Sequence, residues 1–355
     1  MLRKVVALFL VCTGLAVCVS CGKISNHYVY AAIPTASQIL AYREDPNSGA
    51  LTPLDSSPFS AGPGVTSIVI HPSKQFFYAA NSGEDDISLF TIASGGAITE
   101  LGSRTPTGTT PAVLVMDPAG SYLYVANAES NNIWAYSINS SSGASMGQLT
   151  TVGAPIPLGL TPLNMVLAPS GNFLYVTGAA FPGLIEVFSV NAGALTLVQV
   201  QQTGDSPYGL VINPGGSNLY TANFTDNSIS EFSISSNGSL SELAGSPIGE
   251  AYTSPFALLV DNSGKYLYVA NQGSGNLGAY TIASGGGLTL LSNSPFTTNA
   301  QPSLIASDPN GLYLFVGNQK SSAIESFSLA TSDGTLSEVG SYAVGNTPTS
   351  IAVLP

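Results

Sequence analysis

The chain contains few charged residues and almost no cations. Only 8% of its 355 residues are Asp, Glu, Lys or Arg, and 20 carboxylates against 8 cations give a net charge of −12. Nucleic-acid binding needs Lys and Arg to displace counterions from phosphates, so this balance excludes a nucleic-acid partner. It also argues against electrostatic docking on anionic lipid.

Cysteine is confined to the N-terminal end, at Cys12, Cys18 and Cys21. The remainder of the chain therefore has neither a disulfide nor a thiolate metal site. It also lacks a P-loop, a zinc-ligand spacing and a GxSxG motif. The chemistry that these motifs signal is not indicated by the sequence.

The first residues have the pattern of an export signal. Arg3 and Lys4 precede a thirteen-residue apolar run, which is too short to span a bilayer comfortably, and "CVSCG" follows it. The stretch resembles a bacterial lipobox, with Cys18 where Leu is usual. The resemblance implies a signal peptide over 1–20, a lipid on Cys21 and a short tether over 21–27. An ordinary secretory signal is the alternative; both predict an extracytoplasmic protein, and the first predicts membrane contact through the lipid alone.

Four landmarks recur seven times in the rest of the chain. An aromatic residue within words such as "LYVAN" marks each copy, at intervals of 45 to 51 residues. These markers are Tyr30, Tyr78, Tyr124, Tyr175, Tyr220, Tyr268 and Phe315. A second aromatic, a Gly-led run such as "GALTPL" and a pair of prolines seven positions apart complete the unit. Each copy thus contains four short segments rich in β-branched and aromatic residues.

Four strands in about 45–50 residues is the period of a β-propeller blade. We name the strands A to D from the channel outward, strand A following the first proline and strand B containing the aromatic marker. The sequence predicts an all-β, seven-bladed propeller over 28–355 with four antiparallel strands per blade. Its C-terminal strand A, at 349–353, would join the N-terminal strands B–D and close the ring.

The words "LYVAN" and "LYVTG", with "I..Y.I" and "G.LT" after them, resemble the Tyr-Val-Thr-Asn repeat proteins. They also resemble lactonase-type seven-bladed propellers, which include a 6-phosphogluconolactonase. The resemblance covers 28–355 and implies the fold, with a funnel-shaped site at one mouth of the channel. It implies His, Arg and Glu around that funnel. The positions after the strand-A prolines read Ala112, Leu163, Tyr208, Phe256, Ser303 and Thr349. None of these six residues is His or Arg, so we carry over no catalytic residue from the family.

The D–A and B–C connections share one rim, which we call the top rim. Its cations are Arg104 and Lys320, and its carboxylates are Glu84, Asp85, Asp86, Glu129, Asp205, Asp226 and Glu250. A phosphorylated lactone would be repelled there unless both cations converge on it. The two histidines, His27 and His71, map to the opposite, bottom rim.

An asparagine ends strand B in five copies: Asn81, Asn127, Asn223, Asn271 and Asn318. Such a side chain can hold the B–C turn, the reading that recurrence favours, or line a ligand site on the top rim together with Arg104 and Lys320. Asp85, Asp86 and Asp226 lie in B–C turns and are candidate Ca²⁺ ligands, although turns favour Asp for local reasons. No other cofactor is indicated.

Two functions remain open on the sequence alone. The favoured one is a monomeric, non-catalytic protein of the cell envelope that binds a protein, a carbohydrate or a small molecule. The alternative is a lactone hydrolase, in which a carboxylate-bound metal or an activated water replaces the missing His and Arg.

Overall fold

The computed structural model describes residues 27–141, 143, 145–249 and 251–354. Seven antiparallel sheets form a closed ring, which confirms the predicted seven-bladed, all-β propeller. The signal peptide, most of the tether, Cys21, Glu250 and Pro355 lie outside the described residues. No helix within the described part of the chain is long and apolar enough to cross a membrane.

The strands follow the chain blade by blade. Blade 1 contains β1 (His27–Ile33), β2 (Gln38–Glu44), β3 (Leu51–Pro53), β4 (Phe59–Ser60) and β33 (Ser350–Leu354), with a 3-10 helix at Pro34–Ala36. Blade 2 contains β5 (Val65–Ile70), β6 (Phe76–Asn81), β7 (Asp86–Ile92), β8 (Ile98–Glu100) and β9 (Thr105–Pro106). Blade 3 contains β10 (Pro111–Met116), β11 (Tyr122–Asn127), β12 (Asn132–Ile138), β13 (Leu149–Thr151) and β14 (Ile156–Pro157). Blade 4 contains β15 (Thr161–Leu167), β16 (Phe173–Ala179), β17 (Leu184–Asn191) and β18 (Ala194–Gln202).

The remaining blades repeat this order. Blade 5 contains β19 (Pro207–Ile212), β20 (Asn218–Asn223), β21 (Ser228–Ile234), β22 (Leu240–Glu242) and β23 (Ile248–Gly249). Blade 6 contains β24 (Pro255–Val260), β25 (Tyr266–Asn271), β26 (Asn276–Ile282), β27 (Leu288–Leu290) and β28 (Phe296–Thr297). Blade 7 contains β29 (Pro302–Ser307), β30 (Tyr313–Asn318), β31 (Ala323–Ala330) and β32 (Thr335–Ala343).

The ring closes as predicted, because β33 pairs with β1. The register sets Tyr28 opposite Leu354 and Ala32 opposite Ser350. Pairing the two ends of the chain in one sheet leaves neither strand with an open inner edge. His27, which we expected in the tether, is the first residue of β1.

The outer strand D takes two forms. In blades 4 and 7 it is one continuous strand of nine residues, β18 and β32. In the other five blades it is divided, so that a three-residue strand pairs with the end of strand C and a two-residue strand pairs with its start. The apolar side chains of β18 are partly in solvent, with Leu197 52% and Val200 50% exposed.

Neighbouring blades are joined by the tyrosine that marks the repeat. Its ring is fully buried between two sheets, and its hydroxyl donates to a glycine carbonyl in the C–D turn of the next blade. The pairs are Tyr30–Gly96 at 2.8 Å, Tyr78–Gly147 at 2.5 Å, Tyr175–Gly238 at 2.9 Å, Tyr220–Gly286 at 2.8 Å and Tyr268–Gly334 at 2.9 Å. Each of these glycines has a positive φ, a conformation that side chains with a Cβ rarely adopt. The repeated tyrosine and the repeated Gly-led run are therefore two halves of one contact.

Two blades lack this bond. Phe315 occupies the position in blade 7 and has no hydroxyl. Tyr124 of blade 3 is fully buried, but its hydroxyl has no hydrogen-bond partner among the described residues. The C–D turn of blade 4 that it faces is a tight hairpin, in which Asn191 pairs with Ala194. A cavity of about 270 Å³ lies beside it, lined by Tyr122, Tyr124 and Gly193 among others.

The two kinds of tyrosine make a matched test. We expect Tyr78→Phe to lower the free energy of unfolding by about 1–2 kcal/mol, because it leaves the Gly147 carbonyl buried without a donor. Tyr124→Phe should cost less than about 0.5 kcal/mol, since its hydroxyl makes no bond. Urea denaturation of both variants measures the difference. Equal losses would show that the hydroxyl bonds do not hold the blades together.

Candidate functional site at the mouth of the central channel

The top of the central channel contains the pocket to which every blade contributes. Its volume is about 310 Å³, and its lining comes from the first residues of all seven A strands. In blades 2 to 7 a β-bulge falls at the residue after the first proline of strand A, or after Val65 in blade 2. A bulge inserts an unpaired residue and turns its side chain away from the regular ladder. Here the bulged residues are among those that line the channel.

Seven side chains, one per blade, surround the mouth: Thr66, Ala112, Leu163, Tyr208, Phe256, Ser303 and Thr349. Six of them stand at the positions that the sequence analysis singled out after the strand-A prolines. Their order around the ring divides the mouth into two sides. Blades 1 and 2 present the hydroxyls of Thr349 and Thr66, and blade 7 adds Ser303, which is only 2% exposed. Blades 3 to 6 present aliphatic or aromatic groups. No residue of this lining carries a charge.

Three aromatic rings cluster on the apolar side. Tyr208 and Phe256 stack with their centroids 4.8 Å apart and their planes 15° from parallel. Phe224, from the B–C turn of blade 5, meets both rings edge-on. All three are half-buried, so that ring surface remains accessible at the mouth. The sequence analysis missed Phe224, because its B–C turn position has no aromatic counterpart in the other blades.

The threonine hydroxyls on the opposite side already donate hydrogen bonds to backbone carbonyls. Thr66 donates to the Pro111 carbonyl at 2.7 Å, and Thr349 donates to the Val65 carbonyl at 3.2 Å. Both bonds connect one blade to the next. Because a hydroxyl has one proton and two lone pairs, the oxygens retain acceptor capacity. This side of the mouth therefore suits a ligand that supplies hydroxyl donors.

The two predicted top-rim cations do not meet. Arg104 lies on the flank of blade 2, where its guanidinium pairs with Glu84 and donates from Nε to Glu100 at 2.8 Å. Asp86 lies 4.0 Å from the same guanidinium. Lys320 is exposed in the B–C turn of blade 7. Neither cation is among the residues that line the channel mouth.

The five asparagines at the ends of the B strands are completely buried. Each amide nitrogen donates within its own blade, mostly to the first or third residue of strand C. The acceptors are Asp86 and Ser88 for Asn81, Asn132 for Asn127, Ser228 and Ser230 for Asn223, Asn276 for Asn271, and Glu325 for Asn318. These side chains therefore hold the B–C turns of their own blades and lie beneath the top rim.

The three candidate Ca²⁺ ligands are divided between blade 2, with Asp85 and Asp86, and blade 5, with Asp226, and all three accept hydrogen bonds from the protein. Asp85 accepts from the Thr110 backbone N–H of the next blade at 2.7 Å, and Asp226 accepts from the Asp205 N–H at 2.6 Å. Asp86 accepts from Asn81. Among the described residues, one group brings three metal-ligating side chains together, and it is a different one: His27, Glu44 and Asp308 at the bottom rim.

Three further carboxylates are buried in strands C. Glu186, Glu231 and Glu325 are each at most 4% exposed, and each accepts a backbone N–H, from Gly159, Leu288 and Asn299 respectively. Burial raises the pKa of all three, and the hydrogen bonds oppose that rise only in part. Glu231 reaches across to blade 6, so its ionisation affects the contact between two blades.

Comparison with known proteins adds family information. A family model described as "Lactonase, 7-bladed beta-propeller" matches residues 23–162, 145–246 and 247–353. A 6-phosphogluconolactonase of Pectobacterium carotovorum subsp. carotovorum (strain PC1) is 26% identical over 197 residues, which cover 53% of this chain and 58% of that protein. The aligned part thus spans little more than half of this curated relative.

Two solved structures share the whole fold. A protein from Lactobacillus plantarum has a TM-score of 0.79 at 21% identity, with 93% of this chain and 99% of that chain covered. The periplasmic gluconolactonase of Pseudomonas aeruginosa has a TM-score of 0.76 at 18% identity and the same coverage. At these identities the likeness concerns the fold alone.

The raised pKa of Glu231 predicts a pH effect on stability. A carboxyl whose folded pKa lies above its unfolded value of about 4.3 favours folding while it is protonated. This favourable contribution is lost as the pH rises through the folded pKa. Glu231→Gln keeps an acceptor for the Leu288 N–H and removes the charge. We expect its melting temperature to exceed that of the parent at pH 8, by a margin that shrinks towards pH 4.

Thermal melts of both proteins across this pH range measure the margin. Glu338→Gln, which removes one exposed carboxylate, corrects for the change in net charge. A margin that is the same at pH 4 and pH 8 would contradict the prediction.

Proposed function

The chain belongs to the seven-bladed lactonase propeller family, and from that premise we propose that its channel mouth binds a neutral, ring-shaped ligand of the carbohydrate class without converting it. One observation carries the proposal: the uncharged mouth divides into an aromatic side and a hydroxyl side. A sugar ring has the same division, with C–H groups on its faces and hydroxyl groups around its edge.

The aromatic side fits the face of such a ring. The rings of Tyr208 and Phe256 offer flat, rigid apolar surface, and dispersion contacts with C–H groups add up over their area. A pocket of about 310 Å³ is at the lower end of the usual range for small-molecule sites. It therefore suits one or two sugar rings rather than a long chain.

The hydroxyl side fits the edge of the ring. The oxygens of Thr66 and Thr349 accept hydrogen bonds from ligand hydroxyls while their own O–H groups donate to backbone carbonyls. A phosphorylated ligand fits less well, because a phosphate buried here would find no cation in the lining. The proposal therefore favours neutral ligands.

Apart from the phenol of Tyr208, the lining of the mouth has no side chain of the kinds that act as general acids or bases. A general base must lie within hydrogen-bond reach of the proton that it takes, and the lining has no His, Asp, Glu or Lys. The buried carboxylates Glu186, Glu231 and Glu325 are committed to backbone N–H groups inside the blades. Because the lining has none of these four residue types, we rank ligand binding above catalysis.

Family membership supports a second candidate, the hydrolysis of a neutral sugar lactone. A match to a 6-phosphogluconolactonase and a fold shared with a gluconolactonase favour this chemistry. A neutral sugar lactone would occupy the mouth as a sugar does. Water activated by a top-rim carboxylate, or by a metal on one, would then have to attack the lactone carbonyl.

One pair of assays separates the two candidates. We expect isothermal titration to show saturable binding of neutral sugars or of D-glucono-1,5-lactone, and we expect no faster lactone hydrolysis than in buffer. Phe256→Ala should weaken binding about tenfold or more, since it removes half of the stacked pair. Leu290→Ala, on the outer strand of the same blade, is the matched control and should bind as the parent does.

Turnover that disappears with Phe256→Ala and persists with Leu290→Ala would reverse the ranking in favour of the hydrolase. Turnover on the 6-phosphate of the lactone, exceeding that on the neutral lactone, would contradict the neutral-ligand proposal. Binding that is equal in Phe256→Ala and in the parent would contradict the site itself.

We also propose that the protein is an extracytoplasmic monomer anchored to a bacterial membrane by lipid on Cys21. The leader pattern supports export and lipidation. The shared fold of a periplasmic protein from Pseudomonas aeruginosa agrees with export.

The anchor has a direct test. Cys21→Ala should move the protein from the membrane fraction to the soluble extracytoplasmic fraction, because the proposed attachment is the lipid alone. Cys18→Ala is the matched control within the same segment. Unchanged membrane association of Cys21→Ala would contradict the anchor, and release of both variants would point to a general defect in export.

A further inference from the structure

Glu44 breaks the pattern of the repeat. It is the residue of strand C that lies opposite the start of strand B. In the other six blades this position is aliphatic: Ile92, Ile138, Val190, Ile234, Ile282 and Leu329. Glu44 is 0% exposed, and neither of its carboxylate oxygens has a hydrogen-bond partner among the described residues. A buried carboxylate without partners costs several kcal/mol, so a group that compensates it is expected.

Two further ligand-type side chains face Glu44. The Nδ1 atom of His27 lies 3.3 Å from the Glu44 Oε2 atom and has no hydrogen-bond partner among the described residues. Asp308 comes from the A–B turn of blade 7. One ligand atom from each of the three residues lies within 4.8 Å of the other two. All three side chains are buried, at 3%, 0% and 1% exposure for His27, Glu44 and Asp308.

The position of Asp308 is fixed by its own turn. Its carboxylate accepts the backbone N–H groups of Asn310, Leu312 and Tyr313 at 2.6–3.0 Å. Asp261 makes the equivalent set of bonds in blade 6, but no histidine stands near it. Asp308 is thus a preorganised carboxylate, and the residues that distinguish blade 1 are His27 and Glu44.

A simple His–Glu ion pair does not account for this arrangement. Two carboxylates share the buried volume with one imidazole, and the Lys and Arg ion pairs found among the described residues, all of them made by Arg104, do not reach them. A cation at the centre of the group would neutralise both carboxylates and occupy the free Nδ1 lone pair.

We propose that His27, Glu44 and Asp308 bind one divalent metal ion of the zinc class at the seam between blades 1 and 7. One imidazole nitrogen with two carboxylates is a donor set that zinc and similar transition ions accept, whereas Ca²⁺ and Mg²⁺ prefer oxygen alone. The 3.3 Å between Nδ1 and Oε2 matches the ligand–ligand distance around a tetrahedral zinc with bonds of about 2.0–2.1 Å.

Such an ion joins the first strand of the chain to the seventh blade. It therefore adds a second closure of the ring beside the pairing of β1 with β33. Because the ion binds the folded ring and not the unfolded chain, the free energy of unfolding rises with the logarithm of the free metal concentration once this exceeds the Kd.

The test titrates metal-free protein with ZnCl₂, and in parallel with CoCl₂ for its visible spectrum. We expect one ion per chain, a melting temperature that rises with the metal concentration, and absorption typical of tetrahedral Co²⁺. Glu44→Ile installs the residue of blades 2, 3, 5 and 6, and His27→Gln copies Gln75 of blade 2. Each should weaken binding about 100-fold or more while the ring stays folded.

His71→Asn is the matched control, because it removes the other described histidine and copies Asn213 of blade 5. Both ring nitrogens of His71 are already engaged, with Ser73 and the Gly120 carbonyl. This variant should retain one ion per chain. Absence of saturable binding in the parent, or equal binding in Glu44→Ile and the parent, would overturn the proposal. Loss of binding in His71→Asn alone would place the metal elsewhere and overturn it as well.

Discussion

The hydrogen bond from the strand-B tyrosine hydroxyl to a glycine carbonyl of the next blade, made in five of the seven blades, is the interaction on which the alignment of those blades depends. A blade cannot bury both of its faces alone, so its stability lies in its contacts with two neighbours. Apolar packing supplies the area, but a flat sheet of Val, Leu and Ala could slide against another. The buried hydroxyl fixes the register, because a displaced blade would leave a donor and an acceptor unpaired. Glycine with a positive φ is needed in the turn that receives the bond.

The inner strands explain why the candidate site lies at the mouth of the channel. The inner strands carry a bulge near their first residue, and the bulge directs one side chain per blade towards the axis. The side chain at this position differs from copy to copy. Thr66, Leu163 and Phe256 occupy equivalent places and have unrelated chemistry. The repeat thus builds a constant frame, and its seven variable positions build an asymmetric mouth.

The sequence alone was sufficient for the fold, because Tyr78, Gly147 and their counterparts recur at nearly constant spacing. It also indicated six of the seven residues at the mouth. It could not show that Arg104 pairs with Glu84 and Glu100, because a loop cation has several carboxylates within reach and only the folded turn selects among them. Burial of the Asn81 side chain depends on the D–A loop that covers it, which strand patterns do not specify. Glu44 was detectable in principle, as a carboxylate in a column of Ile, Val and Leu, once the strand register was known.

The pairing of Tyr28 with Leu354 has a consequence for how the molecule could be rearranged. Since the first and last described strands are hydrogen-bonded neighbours, a short peptide could join them without disturbing the sheet. The ring then has no privileged starting blade, and the chain could be cut in another exposed turn. The hairpin at Ala192 in blade 4 is a natural choice, because the adjoining Tyr124 hydroxyl makes no bond across that interface. Circular permutation there should yield the same propeller, since the contacts between blades do not fix which blade comes first along the chain.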